Sequence, residues 1–314
     1  MKDLKVLILE GGFNEEHEVS LETAKQVKKA LIKLKINYDV LLVNPATFKI
    51  DIDKFDKNNI CFNALHGTFG EDGKIQSILE NKSFKFTHSD KNSSLIGFDK
   101  DLTKKEIKNC NILSPPSITI NYNEITSDTL INFYNKFGSF LIKPSSSGSS
   151  FGINLFKDRS KLNLFLKNLS INLKLYKNHK NILIEKFIDG RELTVAVIEN
   201  NNISSPVEVT EIISNNEYFD YQSKYKLGFA KHFLPANIPK HIYDQCKLHA
   251  KIIHDKINCK SISRSDFIYD NNNLYFLEIN TQPGLTPISL VPEQLKYQNI
   301  NFEEMILNIL DCTR

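Results

Sequence analysis

Two short stretches place polar groups where a strand would present them together. In Ser263-Arg264-Ser265-Asp266-Phe267, side chains alternate across a strand, so Arg264 and Asp266 share a face. In Leu277-Glu278-Ile279-Asn280, Glu278 and Asn280 do the same. The turn residues Asn271-Asn272-Asn273 between them make a hairpin, so the two strands offer Arg, Asp, Glu and Asn on one surface. The ordinary reading of such a surface is a solvated face neutralised by local pairs. The oxygen set Asp-Glu-Asn also suits a hard cation such as Mg²⁺, and an adjacent arginine suits an anion. We take the metal reading as the stronger, with Asp266, Glu278 and Asn280 as ligands.

The second stretch is KPSSSGSSFG, from Lys143 to Gly152. Gly-Ser clusters usually make plain turns. Here a lysine stands at the end of one apolar run and another apolar run follows at 153–156, so the serines join two strands. Backbone N–H groups brought close by Gly and Ser, beside a cation, are what a phosphate needs. No Gly-Lys-Ser/Thr at Walker spacing occurs here. A third strand at 182–188, with Glu185 inside it and Glu192 beyond its turn, offers backbone hydrogen bonds for an adenine and carboxylates for a ribose.

The elements that must hold these groups follow from hydrophobic period. In the first third, apolar runs at 6–9, 38–43, 60–65 and 84–86 read as strands. Helices with Ala24, Val27, Leu31 and Leu34, and with Ile75, Ile78 and Leu79, fall among them. Alternation of this kind predicts a parallel α/β sheet with function at the strands' carboxyl ends, near Gly11-Gly12 and His66-Gly67. A lysine-rich helix over 99–110, the extended Ser114-Pro115-Pro116, the strand pair around the serine loop and a helix after Ser160 make a small α+β unit. Strands at 193–198 and 204–209 follow, then an irregular Tyr- and Lys-rich stretch at 215–229, a helix after Pro239 and the hairpin. We expect three parts: 1–95, 96–181 and 182–314.

Composition narrows the partners. The 314 residues carry 40 Lys+Arg against 37 Asp+Glu, with no block of one sign, which argues against nucleic acid and anionic membrane. The five scattered cysteines have no CxxC spacing, so neither a disulfide framework nor a zinc site is expected. No stretch approaches the ~20 apolar residues of a membrane span, and the N-terminal apolar run is too short for a signal peptide. A cytoplasmic protein is expected.

In this order and spacing the motifs resemble the D-alanine–D-alanine ligases of the ATP-grasp superfamily. The match runs over residues 11–292: Gly11-Gly12 with Glu16-His17-Glu18-Val19-Ser20, Leu65-His66-Gly67 with Gly70-Glu71-Asp72-Gly73, and Lys143-Pro144 with Gly148-Ser149-Ser150. It continues through Tyr221 with Lys224-Tyr225, Glu278-Ile279-Asn280-Thr281 with Pro283-Gly284, and Ser289-Leu290-Val291-Pro292.

The resemblance implies an ATP-grasp fold and an ADP-forming ligation of two D-alanines through an acyl phosphate, for peptidoglycan precursors. It implies ATP and a pair of Mg²⁺ or Mn²⁺ ions, D-alanine as substrate, and a homodimer. By the family pattern Lys100, Lys143 and Lys224 contact phosphates, and Glu185, Phe187, Ile188 and Glu192 frame adenine and ribose. Arg264 and the N–H of Gly284 stabilise the oxyanion. Glu18 holds the first substrate's ammonium, while Ser289 and Leu290 bind the second substrate's carboxylate. Ser149, Tyr225 and Glu18 form a bridging network, with the serine loop as a lid. His66 is expected on the substrate side; His241, His249 and His254 are ordinary surface or packing residues.

Ser263, Ser265, Phe187 and Gln282 depart from common family residues without removing a functional group. The alternatives are a related ligase making D-Ala-D-lactate or D-Ala-D-serine, or a nucleotide-binding homologue without turnover. Tyr225 argues for the peptide product, because ester-forming members tend to carry phenylalanine there.

Overall fold

The computed structural model describes residues 4–148, 152–214 and 230–313. The first layer is built as its period predicts. Strands β1 (Lys5–Gly11), β2 (Asn37–Val43), β3 (Ile60–Asn63) and β4 (Lys85–Phe86) pair in parallel in the order β2-β1-β3-β4. Helices α1 (His17–Lys33), α2 (Phe48–Asp51) and α3 (Lys74–Asn81) connect them. On α1 the residues Ser20, Thr23, Val27, Ala30 and Leu31 are buried, a stripe at three- and four-residue spacing. A helix absent from the sequence reading, α4 (Lys91–Phe98), precedes the lysine-rich segment's own helix, α5 (Lys100–Glu106), which is shorter than the expected 99–110. Asp99 caps α5, its carboxylate accepting from the N–H groups of Asp101 and Leu102.

The second sheet is antiparallel, in the order β5-β8-β6-β7: β5 (Ser117–Asn121), β6 (Phe140–Pro144), β7 (Asn154–Phe156) and β8 (Asn181–Lys186). One face, with Phe140, Ile142, Ile182 and Ile184, packs on α6 (Ser127–Phe137), α7 (Arg159–Lys167) and α8 (Leu169–Asn172). The opposite face carries Leu141, Lys143 and Glu185 and looks into a cleft.

The third sheet runs β11-β10-β9-β12-β13: β9 (Arg191–Asn200), β10 (Ile203–Ser214), β11 (Ala230–Phe233), β12 (Ile262–Tyr269) and β13 (Leu274–Asn280). Helix α9 (Lys240–Lys256) covers one side with Ile242, Cys246, Ala250 and Ile253. The chain ends in α10 (Leu290–Tyr297) and α11 (Phe302–Asp311), whose Val291, Leu295, Ile306 and Leu310 join Val27 and Leu31 of α1 in one core. Gln282, after β13, binds the first layer: its Oε1 accepts from Asn63 and its Nε2 donates to the Leu65 carbonyl.

Candidate active site

Register fixes the polar surface of the third sheet. Asp266 stands opposite Glu278 on β13 and Thr194 on β9, and Arg264 stands opposite Asn280. The four groups read from the sequence therefore do share a face. A bulge between Asp266 and Phe267 shifts the register of the rest of the hairpin, which alternation alone does not reveal. Arg264 donates to both oxygens of Asp266, at 2.9 and 2.8 Å, and Thr194 Oγ1 donates to Oδ1 at 2.6 Å. Lys100 Nζ lies 3.1 Å from Glu278 and donates to the Ser147 carbonyl at 2.8 Å. Asn280 Oδ1 accepts from the Gln282 N–H.

The cleft between the second and third sheets, of about 940 Å³, is the larger of two adjoining cavities. Lys143, Glu185, Phe187, Ile188, Glu192 and Asp266 all line it. Glu185 is buried, and its carboxylate binds lysines: Oε1 accepts from Lys143 at 2.8 Å and Oε2 from Lys104. Burial alone would push this carboxyl up; the two ammonium charges overcome it and hold it down at about 2. Lys104 is itself held below the usual lysine range, because burial outweighs its share of one carboxylate. The N–H groups of Lys186 and Phe187 donate to the Pro116 and Ser139 carbonyls, so they serve the fold.

The second cavity, of about 890 Å³, lies toward the first layer and shares Lys100, Ser147 and Glu278 with the first. Glu16, His66, Arg264, Gly284, Ser289 and Leu290 line it, and so do Glu71 and His232. His66 is hydrogen-bonded at both ring nitrogens, Nδ1 to Glu71 and Nε2 to Thr23 Oγ1, each at 3.0 Å. Burial pushes the Glu71 carboxyl up, the negative charge of Glu16 adds to that, and the bond to His66 works against both. Ser289 Oγ accepts from the Thr286 N–H at 3.1 Å, and Ser289 precedes the first turn of α10. His232 is fixed by its Nδ1–H, which donates to Glu293 of α10 at 2.8 Å.

The family profile described as D-ala D-ala ligase C-terminus matches residues 109–311. A D-alanine–D-alanine ligase of Pelagibacter ubique (strain HTCC1062) is 40% identical over 310 residues, covering 98% of this chain and 97% of that one. The chain belongs to the D-alanine–D-alanine ligase family. Another member, from Wolbachia pipientis wMel, is 37% identical over 316 residues, with 98% and 93% covered. Among solved structures, D-alanyl-alanine synthetase A from Vibrio cholerae O1 biovar eltor str. N16961 superposes with a TM-score of 0.85 at 22% identity, covering 100% of this chain and 99% of that chain. The D-alanine–D-alanine ligase from Bacillus anthracis complexed with ATP gives 0.81 at 23% identity, with 99% and 97% covered. The fold is the ATP-grasp fold of those ligases.

Within this ligase-family fold, most of the expected site residues fall on the two cavities. Glu18 does not. It is an exposed residue in the first turn of α1, outside the cavity lining, whereas Glu16, two residues earlier, is buried and lines it. Helix geometry is the reason: positions 16, 20, 23 and 27 form the buried stripe, and 18 falls with 22, 25 and 29 on the outer one. Glu185 lines the cleft with Phe187, Ile188 and Glu192, and its carboxylate is engaged there by Lys143 and Lys104. Ser149, Lys224, Tyr225 and Tyr221 lie outside the described residues, and so do the lid and the network expected of them.

Glu71, Lys104 and His232 were missed. Lys104 sits among many lysines, and His232 follows an irregular stretch, so neither had a local signal. His254 and His249 are buried packing residues as read, and the Ser263 hydroxyl meets His254 Nδ1 at 2.7 Å.

Proposed function

We propose that this protein joins two D-alanine molecules, with ATP converted to ADP and phosphate through a D-alanyl phosphate. The observation that carries this reading is the meeting of two cavities at Lys100, Ser147 and Glu278. A nucleotide in the cleft between the sheets would direct its terminal phosphate at that junction, and an amino acid in the other cavity would present its carboxylate there.

A carboxylate is a poor acyl donor because its leaving oxygen is anionic. Its oxygen attacks the terminal phosphorus, ADP leaves, and the acyl carbon now carries a good leaving group. The free amine of the second D-alanine adds to the acyl carbon to give a tetrahedral oxyanion, which collapses with loss of phosphate, the phosphate carrying off the amine's proton. Glu16 holds the first ammonium. Arg264 and the Gly284 N–H face the carbonyl oxygen as it becomes an oxyanion, the electrostatic device of acyl transfer. Ser289 and Leu290, at the amino end of α10, take the second carboxylate. Lys100 and Lys143, with Lys224, hold phosphates; Phe187, Ile188 and Glu192 border the base and sugar.

Two carboxylates and an amide oxygen on one face fit a hard divalent cation, so Asp266, Glu278 and Asn280 are assigned to it, with Arg264 and Lys100 now neutralising the same carboxylates. Mg²⁺ or Mn²⁺ there supplies charge to offset phosphate against phosphate. A homodimer and a cytoplasmic setting, where five unpaired cysteines stay reduced, complete the reading.

The test is ATP turnover with Mg²⁺, following ADP and phosphate release with and without D-alanine and identifying the product by mass. Release that depends on D-alanine and yields the dipeptide is expected. Release indifferent to D-alanine, or none at all, would overturn the proposal.

A further inference from the structure

Glu185, a buried carboxylate in the nucleotide cleft, has both oxygens taken by lysines. Lys143 comes from β6 beside it and lines the cleft. Lys104 comes from α5 and does not line the cleft. It stands four residues after Lys100, so one face of α5 carries both. Lys100 reaches the junction of the cavities, and Lys104 reaches Glu185 with its side chain only 10% exposed.

The helix itself is pinned. Its capping Asp99 also accepts from the hydroxyls of Ser145 and Ser146, each at 2.6 Å, and the Lys100 N–H donates to the Ser145 carbonyl. The stem of the serine loop is thus hydrogen-bonded to the start of the helix that carries Lys104.

Charge counting gives this arrangement a purpose. Lys143 and Glu185 alone would be a neutral buried pair, and a phosphate entering the cleft would meet a lysine already neutralised. With Lys104 on the other oxygen, the Glu185 charge is shared between two ammonium groups and Glu185 is held in one position. We propose that Lys104 is a positioning residue for the nucleotide: by taking half of Glu185, it leaves Lys143 oriented and electrostatically available to the phosphates of ATP. The inference rests on the reading above, in which Lys143 faces phosphate. The competing account makes Lys104 a buried strut between α5 and the second sheet. A strut would matter for stability and not for ATP.

The test is the dissociation constant of ATP with Mg²⁺, by calorimetry, together with KM for D-alanine. Lys104→Met is expected to weaken ATP about tenfold or more, the loss of a charge-assisted bond read as affinity, with KM for D-alanine within about twofold. Lys104→Arg should restore most of the loss. A cycle with Glu185→Gln isolates the route: once Glu185 is uncharged, adding Lys104→Met should change ATP affinity by less than about twofold, because Lys104 acts only through that carboxylate. The doubly substituted protein holds no unpaired buried carboxylate, so this comparison stands even if Lys104→Met alone fails to fold. Full-sized weakening in the Glu185→Gln background, or normal ATP affinity in a folded Lys104→Met protein, overturns the proposal. Lys143→Met separates the underlying reading. If it leaves ATP affinity unchanged, the phosphate assignment fails; if it weakens ATP while Lys104→Met does not, only the role of Lys104 fails.

Discussion

Glu16 and Glu18 are two residues apart and chemically identical, yet helix phase gives them opposite surroundings. Glu16 precedes α1 at its buried stripe and faces the cavity with His66 and Glu71; Glu18 points outward. An ammonium bound by a carboxylate is a charge-assisted bond worth about 1.5–3 kcal/mol, so Glu16→Gln should raise KM for the first D-alanine on the order of tenfold or more. Glu18→Gln should change it by less than about twofold, because an exposed side chain outside the cavity has no bond to lose. Initial rates across D-alanine concentration check both, and a larger effect at Glu18 would reverse the assignment. The information was in the sequence: Ser20, Thr23 and Val27 already mark the inner stripe that includes position 16. Reading the motif as a string of letters, without the helix it begins, selects the glutamate on the outer stripe.

At the level of elements, alternation made the β12–β13 hairpin legible. A period of two assigns faces unambiguously, and the face carrying Arg264, Asp266, Glu278 and Asn280 stands as read. The bulge after Asp266 was not legible, because nothing in Asp-Phe-Ile marks it. Helices α4, α6, α10 and α11 escaped for a different reason: they are short, so their apolar stripes span few turns. Asn301 and Glu304 form a capping box at α11, a signal that reads directly from sequence once sought. The loop after β6 gives the next prediction. A Cβ on Gly148 would lie 2.7 Å from Glu16 Oε2, closer than real contacts allow, so the loop and the substrate-side carboxylate meet through the absence of a side chain. Gly148→Ala should displace Glu16 and lower kcat/KM for D-alanine roughly 10- to 100-fold, as misplacement on the ångström scale does. Thermal stability should be nearly unchanged. Wild-type kcat/KM in this variant would show that Glu16 and the loop tolerate separation.

Across the whole molecule, the same dense packing that joins the layers also buries histidines in neutral form, and this sets how stability depends on pH. His254 on α9, against Ser263, is pushed down to about 4, chiefly by burial. His88, after β4, is pushed down to about 3 by burial, with the charge of His66 adding to it. In the unfolded chain both titrate near the ordinary value of about 6.5. Between about pH 6.5 and 4 the unfolded state therefore binds more protons than the folded one, and stability falls as pH falls, by up to roughly 1.4 kcal/mol per pH unit per histidine. Glu71 works the other way, because its raised carboxyl binds a proton in the folded state first. Glu185, held at about 2, contributes stability that is present above the ordinary glutamate range and is lost only as pH falls below it. Two histidines against one carboxyl leave the net slope with the histidines. Urea unfolding at pH 7 and pH 5 should give a lower midpoint at pH 5. His254→Gln, which keeps a polar group near Ser263 and removes the titration, should start less stable at pH 7 but lose less on going to pH 5. An equal loss in the variant and the parent would mean that His254, against Ser263, is protonated in the folded protein at pH 5.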